Sequence, residues 1–413
     1  MPSPFSGMDA DLAGDDNARH RQVVFRGNLV LTDRVLQGGE IVVRDGRICA
    51  IHEQPKSTVA GAHVIDAGNG FVTPGFIDLH VHGGNGADFM DGSADAVGKV
   101  LAAHLRHGTT ALLATTTAAT HEQIMAMLTA CRAHRGQRRA AQARLLGVHL
   151  YGPYFRPEAR GCHPAGPIRP PERREFEEYL DASVVATASV APELAGAEEF
   201  ARACVGRGVR IGAGHSYATF AQMAEAVGWG VRHVDHLYCA MSDRARLRQD
   251  QSYPMRGGVL EATLYFDELT TELIADGKHL AGELLQLARK IKGPDRLALV
   301  TDCNRALDLP DGEYLFGPSE GGEPFIRRDG VGLMPDGKAL ASSVRGMDHM
   351  VRTFVESTGC PLWEAVRMAS LTPARIAGFD GDFGSLAAGK RADLLVLNCD
   401  LEIEAVFIDG ERQ

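Results

Sequence analysis

No stretch of the 413-residue sequence stays apolar over a membrane-spanning length, and the N-terminus lacks a basic segment leading into an apolar one. A spanning helix needs about 20 such residues and a secretory signal needs that build, so neither is expected. Basic residues are in deficit: 43 Lys and Arg against 53 Asp and Glu leave a net charge of −10, which argues against a general nucleic-acid binder. The eight cysteines, Cys49, Cys131, Cys162, Cys204, Cys239 and Cys303 among them, show no framework spacing and no C-x-x-C pair. Reduced thiols in a cytoplasmic enzyme are expected. No Gly-x-Gly-x-x-Gly follows a strand, so an open doubly wound sheet loses its usual support.

What remains is an ordinary globular composition, 45% hydrophobic and 23% charged. At this length one core is not enough, and a large domain with a smaller companion is expected. Residues 1–20, rich in Asp, Gly, Ser and Ala, form a frayed tail. From Gln22 to Ile65 short apolar runs alternate with Gly38-Gly39 and Asp45-Gly46, a separator and a hairpin turn. Short strands return at Leu394-Leu-Val-Leu397 and Val406-Phe-Ile-Asp-Gly410. The two ends therefore make one small β-sandwich domain, 21–70 with 381–413, around an inserted domain at 71–380. In that insert, helical spacing at 94–107, 121–135, 175–179, 197–207 and 219–227 alternates with strand-like runs at 109–116, 145–150, 184–190, 209–214 and 231–234. Such alternation over roughly 300 residues predicts a (β/α)8 TIM-like barrel, with chemistry at the C-terminal rim of the strands.

The stretch Phe71-Val-Thr-Pro-Gly-Phe-Ile-Asp-Leu-His-Val-His-Gly-Gly84 reads as a buried strand entered through a Pro-Gly turn and left through a flexible Gly-Gly loop. His80 and His82 stand two apart, so on a strand both imidazoles face one side and supply half of a tetrahedral metal site. The lead-in resembles the first-strand signature of the amidohydrolase superfamily, metal-dependent hydrolases built on a β/α barrel. Three more residues follow strand-like runs in order: His215, His236 and Asp302. One such histidine is more often a hydrogen-bonded loop residue than a ligand; the set of five is hard to explain structurally. A carboxylate beside a metal-bound water can take its proton and later deliver it to a leaving amine. The ending Ala388-Gly-Lys-Arg-Ala-Asp-Leu394 is also similar to that of the superfamily.

Several motifs narrow the resemblance to the N-acetylglucosamine-6-phosphate deacetylase family: Gly214-His-Ser216, Asp235-His-Leu-Tyr-Cys-Ala-Met241, Ile274-Ala-Asp-Gly-Lys-His279, Val300-Thr-Asp302, His149-Leu-Tyr-Gly-Pro-Tyr-Phe155 with Arg160-Gly-Cys-His163, and Ala341-Ser-Ser-Val-Arg-Gly-Met347. The resemblance implies deacetylation of an amino-sugar substrate, with Asp302 as general acid/base and His163 polarising the amide carbonyl. It implies substrate-binding roles for Cys239, Ala240, Arg256 and His279, and a homodimer in which Arg256 or His279 reaches the neighbouring active site. This sequence departs from the family pattern in places. Tyr151 stands where the family carries a metal-ligand Glu, Cys239 replaces a phosphate-binding Asn, Cys303-Asn-Arg305 replaces small residues, and Tyr154 follows Pro153. Tyrosine, with a pKa near 10, is a poor substitute for a bridging carboxylate. One zinc-like ion per chain is therefore expected, held by His80, His82, Asp302 and one of His215 or His236. Three other readings stay open: a single-metal deaminase or other C–N hydrolase, a non-hydrolytic proton-transfer enzyme acting on a sugar phosphate, and a catalytically inert binding protein.

Overall fold

The computed structural model describes residues 22–56, 62–250 and 253–413; the tail expected over 1–20 lies outside them. Eight strands, Phe76–Val81, Thr109–Thr115, Arg144–Leu150, Val185–Val190, Arg210–Ala213, His233–Val234, Thr270–Leu273 and Leu297–Leu299, pair in chain order. Every pairing is parallel. A helix follows each strand before the next layer of the barrel: Ala94–Arg106, His121–His134, Arg173–Asp181, Ala197–Gly206, Phe220–Trp229, Val259–Tyr265, Gly282–Lys292 and Met347–Thr358. Local chemistry starts several of them. Ser93 accepts from the Ala96 amide, and Thr120 with Gln123 and Thr219 with Gln222 form reciprocal capping boxes. This is the (β/α)8 barrel that the alternation predicted.

The ring closes between the first and last strands. Asp302 N donates to the His80 carbonyl and His82 N to the Cys303 carbonyl, both at 2.9 Å. Asp78, fully buried in the first strand, clasps the eighth: Thr301 Oγ1 donates to its Oδ2 at 2.6 Å, and Thr301 N to its carboxylate at 3.3 Å. The same carboxylate accepts the His80 amide at 3.2 Å. One acid thus sets the register of two prospective ligands from opposite ends of the barrel sequence.

Strands from both chain ends form a single seven-stranded sheet, with Leu394–Leu397 beside His63–Pro74, which in turn pairs with Val23–Val30. The sheet curls on itself. Ala392 N reaches the Gly46 carbonyl and Ile48 N the Lys390 carbonyl, across three intervening strands, while Phe25 packs edge-on against Phe407 at 4.8 Å. A separate apolar core, with Ile41, Val43, Val72 and Leu394, fills the fold. Two local expectations need correction. Gly38-Gly39 does not separate strands: Val35–Arg44 is continuous. Gly39 is there because a Cβ would come within 2.7 Å of Leu29, and Gly38 takes the left-handed backbone of a bulge. Gly83–Gly84 is likewise ordered, pairing with Ala87–Asp88.

A three-stranded insert, Gly312–Phe316, Glu323–Arg328 and Val331–Leu333, follows the eighth strand and leans over the barrel mouth. Replacing Asp78 by Ala would leave the Thr301 hydroxyl and two amides buried without an acceptor. Unmet buried donors cost about 1–3 kcal/mol each. We expect Asp78→Ala to lose roughly 2–4 kcal/mol of unfolding free energy by denaturant titration, with Asp78→Asn losing less; an unchanged midpoint in both would show that the clasp does not hold the seam.

Candidate metal centre and active-site pocket

Because side chains alternate along a strand, Asp78, His80 and His82 share one face, and the last two reach the C-terminal rim. The other strands deliver Tyr151, His215, His236 and Asp302 within three residues of their ends. His82, Tyr151, His215, His236 and Asp302 converge on a pocket of about 350 Å³, lined also by His163, Tyr217, Cys239, Ala240, Ile274, His279 and Ser342, with His80 buried beside it. Non-glycine residues adopt left-handed backbone all round it: His215, Tyr238, Ala240, Asp302 and Ser342, with φ between 45° and 76°. Such geometry costs about 1–3 kcal/mol per residue and gathers at functional sites.

His80 Nε2 and His82 Nε2 lie 3.7 and 3.3 Å from one oxygen, Asp302 Oδ1. Metal bonds of about 2.1 Å at tetrahedral angles place ligand atoms roughly 3.4 Å apart. His80 Nε2 is buried and has no hydrogen-bond partner, and it faces the gap towards Asp302. Two imidazoles and a carboxylate fit a divalent ion, and among the described residues these three form one compact ligand group. His215 and His236 line the same pocket outside that group. His215 Nδ1 donates to the Ala159 carbonyl at 2.6 Å, which leaves Nε2 as its acceptor atom.

Tyr151 occupies the floor between them. Its hydroxyl bonds His236 Nε2 at 2.5 Å, and its ring lies against His80 at 4.4 Å between centroids. Burial, reinforced by the Asp235, Asp302 and Glu272 carboxylates, pushes its pKa well above the usual phenol value. The raised pKa favours the un-ionised phenol, which shares a hydrogen bond with His236. His163 is also held neutral: burial, then the neighbouring His215 and His82 rings, push its pKa well below the usual value. The Ala118 amide donates to His163 Nδ1 at 3.2 Å, so the proton sits on Nε2. Burial opposes ionisation of Asp302, but the His82 hydrogen bond and the charges of His80 and His82 outweigh it and keep the carboxylate ionised. Ser342 Oγ donates to its Oδ1 at 3.2 Å, the same oxygen that faces the histidines, leaving Oδ2 for proton transfer.

At the far end of the pocket, burial pushes the Cys239 thiol up to about 12, so it is uncharged. His279 Nδ1 is bonded to Asp276 Oδ2 at 2.8 Å; burial opposes its charge, but that bond raises its pKa overall. Arg256 is exposed and outside the lining of its own chain's pocket. Among the described residues lining the pocket there is no lysine or arginine. The remaining departures have structural duties. Arg305 donates to the Leu315 carbonyl at 2.6 Å and the Gly317 carbonyl at 2.5 Å, pinning the insert so that Phe316 packs on His82 and His163. Tyr154 is buried away from the pocket, its hydroxyl donating to Glu175 Oε2 at 2.8 Å.

Sequence reasoning missed the polar layer beneath: His149, His233, Asp235 and Glu272, all buried. The available signal was a lone acid inside a short β-prone run, Thr270-Thr-Glu-Leu-Ile274, comparable to Asp78 in the first strand. A larger cavity, about 620 Å³, opens at the opposite end of the barrel, where Arg210, Arg232 and Thr270 begin their strands. The compact ligand group and the left-handed residues stand at the other rim, so the smaller pocket is the site.

The pattern of the amidohydrolase family matches residues 71–412. This chain belongs to that family. It is similar to N-acetylgalactosamine-6-phosphate deacetylase of Escherichia coli O157:H7, at 34% identity over 94% of this chain and 98% of the relative. It is also similar to N-acetylglucosamine-6-phosphate deacetylase of Bacillus subtilis (strain 168), at 32% over 92% and 94%. Solved N-acetylglucosamine-6-phosphate deacetylase from Pasteurella multocida superimposes with a TM-score of 0.87 at 28% identity, covering 95% of this chain and 99% of the other. The Mycobacterium smegmatis enzyme superimposes at 0.85 and 30% identity, covering 95% and 100%. The amidohydrolase family implies a divalent metal, and His80, His82 and Asp302 are candidates to hold one. Since burial disfavours an ionised Tyr151, Tyr151→Phe should leave divalent metal content unchanged by elemental analysis. Loss of an ion in that variant would make Tyr151 a ligand.

Proposed function

We propose that this amidohydrolase removes the acetyl group of an N-acetylated amino sugar, with an N-acetylhexosamine 6-phosphate as the foremost substrate. Hydrolysis of an amide C–N bond follows from the family and its deacetylase relatives. One observation carries the assignment to this pocket: His163, locked with its proton on Nε2, faces the same space as the His80, His82 and Asp302 group. His80 and His82 through Nε2 and Asp302 through Oδ1 would hold one divalent ion, zinc by donor type. When bound, it would acidify a water and polarise a carbonyl. Asp302 Oδ2 takes the proton of the attacking water as the new C–O bond forms. His163 Nε2–H donates to the amide oxygen as negative charge builds there. Asp302 then passes the proton to the sugar nitrogen as the C–N bond breaks, leaving acetate and the free amine.

The neutral Tyr151 in place of a carboxylate supports one ion per chain rather than two. At the anionic end, His279 held protonated by Asp276 supports a charged substituent. Arg256 would complete that end from a second subunit; the exposed Tyr253 and Met255 beside it, 86% and 59% accessible, support a homodimer interface there. Eight free thiols support a reducing, cytoplasmic setting. The specific case for another reading is Tyr151 itself, since a single-ion site also suits a deaminase or other C–N hydrolase.

Asp302→Asn should lower turnover on the acetylated sugar phosphate by about two to four orders of magnitude, the range for acid–base groups; near-normal turnover removes Asp302 from the mechanism. Cys239→Asn supplies an amide donor in place of a weak thiol. It should lower the Michaelis constant for N-acetylglucosamine 6-phosphate more than for the unphosphorylated sugar. Equal effects on both, or no activity on either, would move the assignment to a different C–N substrate.

A further inference from the structure

The seventh strand carries Glu272, 1% exposed and outside the lining of the active-site pocket. Its Oε2 meets His80 Nδ1 at 2.9 Å and accepts the His236 amide at 3.2 Å, while Oε1 meets His233 Nε2 at 3.1 Å. His233 is held in turn by Thr270 Oγ1, 2.8 Å from its Nδ1. Both carboxylate oxygens are therefore occupied, and the side chain has one orientation. His80, Asp235 and Glu272 form a second compact group of potential ligand atoms. It is not a second metal site while His80 serves the first, because the His80 nitrogen on that side is already committed to Glu272.

We propose that Glu272 is a positioning residue for the metal centre, acting through His80. A neutral imidazole has one N–H. An ionised carboxylate at Nδ1 accepts that hydrogen, so the lone pair is left on Nε2, the unpartnered atom facing His82 and Asp302. The carboxylate also fixes the ring plane and makes Nε2 a stronger donor. The support is one-sided: His82 Nδ1 has no hydrogen-bond partner. His80 is thus the anchored ligand of the pair and His82 the adjustable one. This inference rests on the reading of His80 as a ligand.

The larger cavity makes a specific test available, because Glu272 forms part of its inner wall. Truncating Glu272 to Ala opens a gap that a small carboxylate can enter from the far end of the barrel. The measurement is zinc affinity of the full chain by competition with a chromophoric chelator. Glu272→Gln should weaken it by about 10–100-fold, as loss of such outer partners does, and Glu272→Asp by less. Glu272→Ala should be weakened too, and formate, but not chloride at equal ionic strength, should restore it in part. A role only in packing would not respond to formate. Affinity within twofold of the parent in Glu272→Gln overturns the proposal. His80→Ala separates the two readings: if it binds zinc normally, the ligand assignment is what fails. If it loses zinc while Glu272→Gln does not, only the role of Glu272 fails. Should the Ala variant not fold, the near-isosteric Gln variant carries the decision.

Discussion

The closure of the barrel between its first and last strands is the constraint on which the site depends. The two strands are separated by more than 200 residues of chain, and each brings part of the ligand group: His80 and His82 on one side, Asp302 on the other. Their spacing must be held to tenths of an ångström for a cation to be bound. Asp78 does this by accepting from Thr301 and from His80 itself, while the Asp302 amide bonds the His80 carbonyl. Asp302 and His80 are thus tied by backbone, not only by side chains. A barrel supplies this naturally, since its last strand must return to its first.

Inside the ring, charge is managed without lysine or arginine at the ligand group. Histidines and carboxylates face one another, and protonation is decided locally. The Ala118 amide fixes the proton of His163, the Ala159 carbonyl that of His215, and Glu272 that of His80. Each lock is a hydrogen bond to a buried ring, where an unmet polar group is costly and a met one is rigid. Tyr151 fits the same logic. Its phenol is kept un-ionised by burial and by the carboxylates around it, and it is hydrogen-bonded to His236.

Much of this was legible in the residues. Helical spacing at 121–135 and 219–227 marks two of the helices, and the structure has His121–His134 and Phe220–Trp229 there. His80 and His82 share a face because a strand has period two. Gly38-Gly39 was misleading for a physical reason: glycine signals a break in the chain, but here it makes room for Leu29 in a continuous strand. Glu272 and Asp235 gave only the faint signal of an acid in a short β-prone run, because nothing local distinguishes a buried support from a solvent-facing charge.

The order of strands and helices, the sharing of a small sheet by both chain ends, and the candidate ligands at strand tips were determined by the sequence alone. These follow from periodicity and turn chemistry, which act over a few residues. Only the tertiary structure decided which candidates meet. It joined His80, His82 and Asp302 in one group, left His215 and His236 on the pocket wall, turned Arg256 outward, and set Glu272 behind His80. Those outcomes depend on distances between strands far apart in the chain, and such distances exist only once the ring has closed.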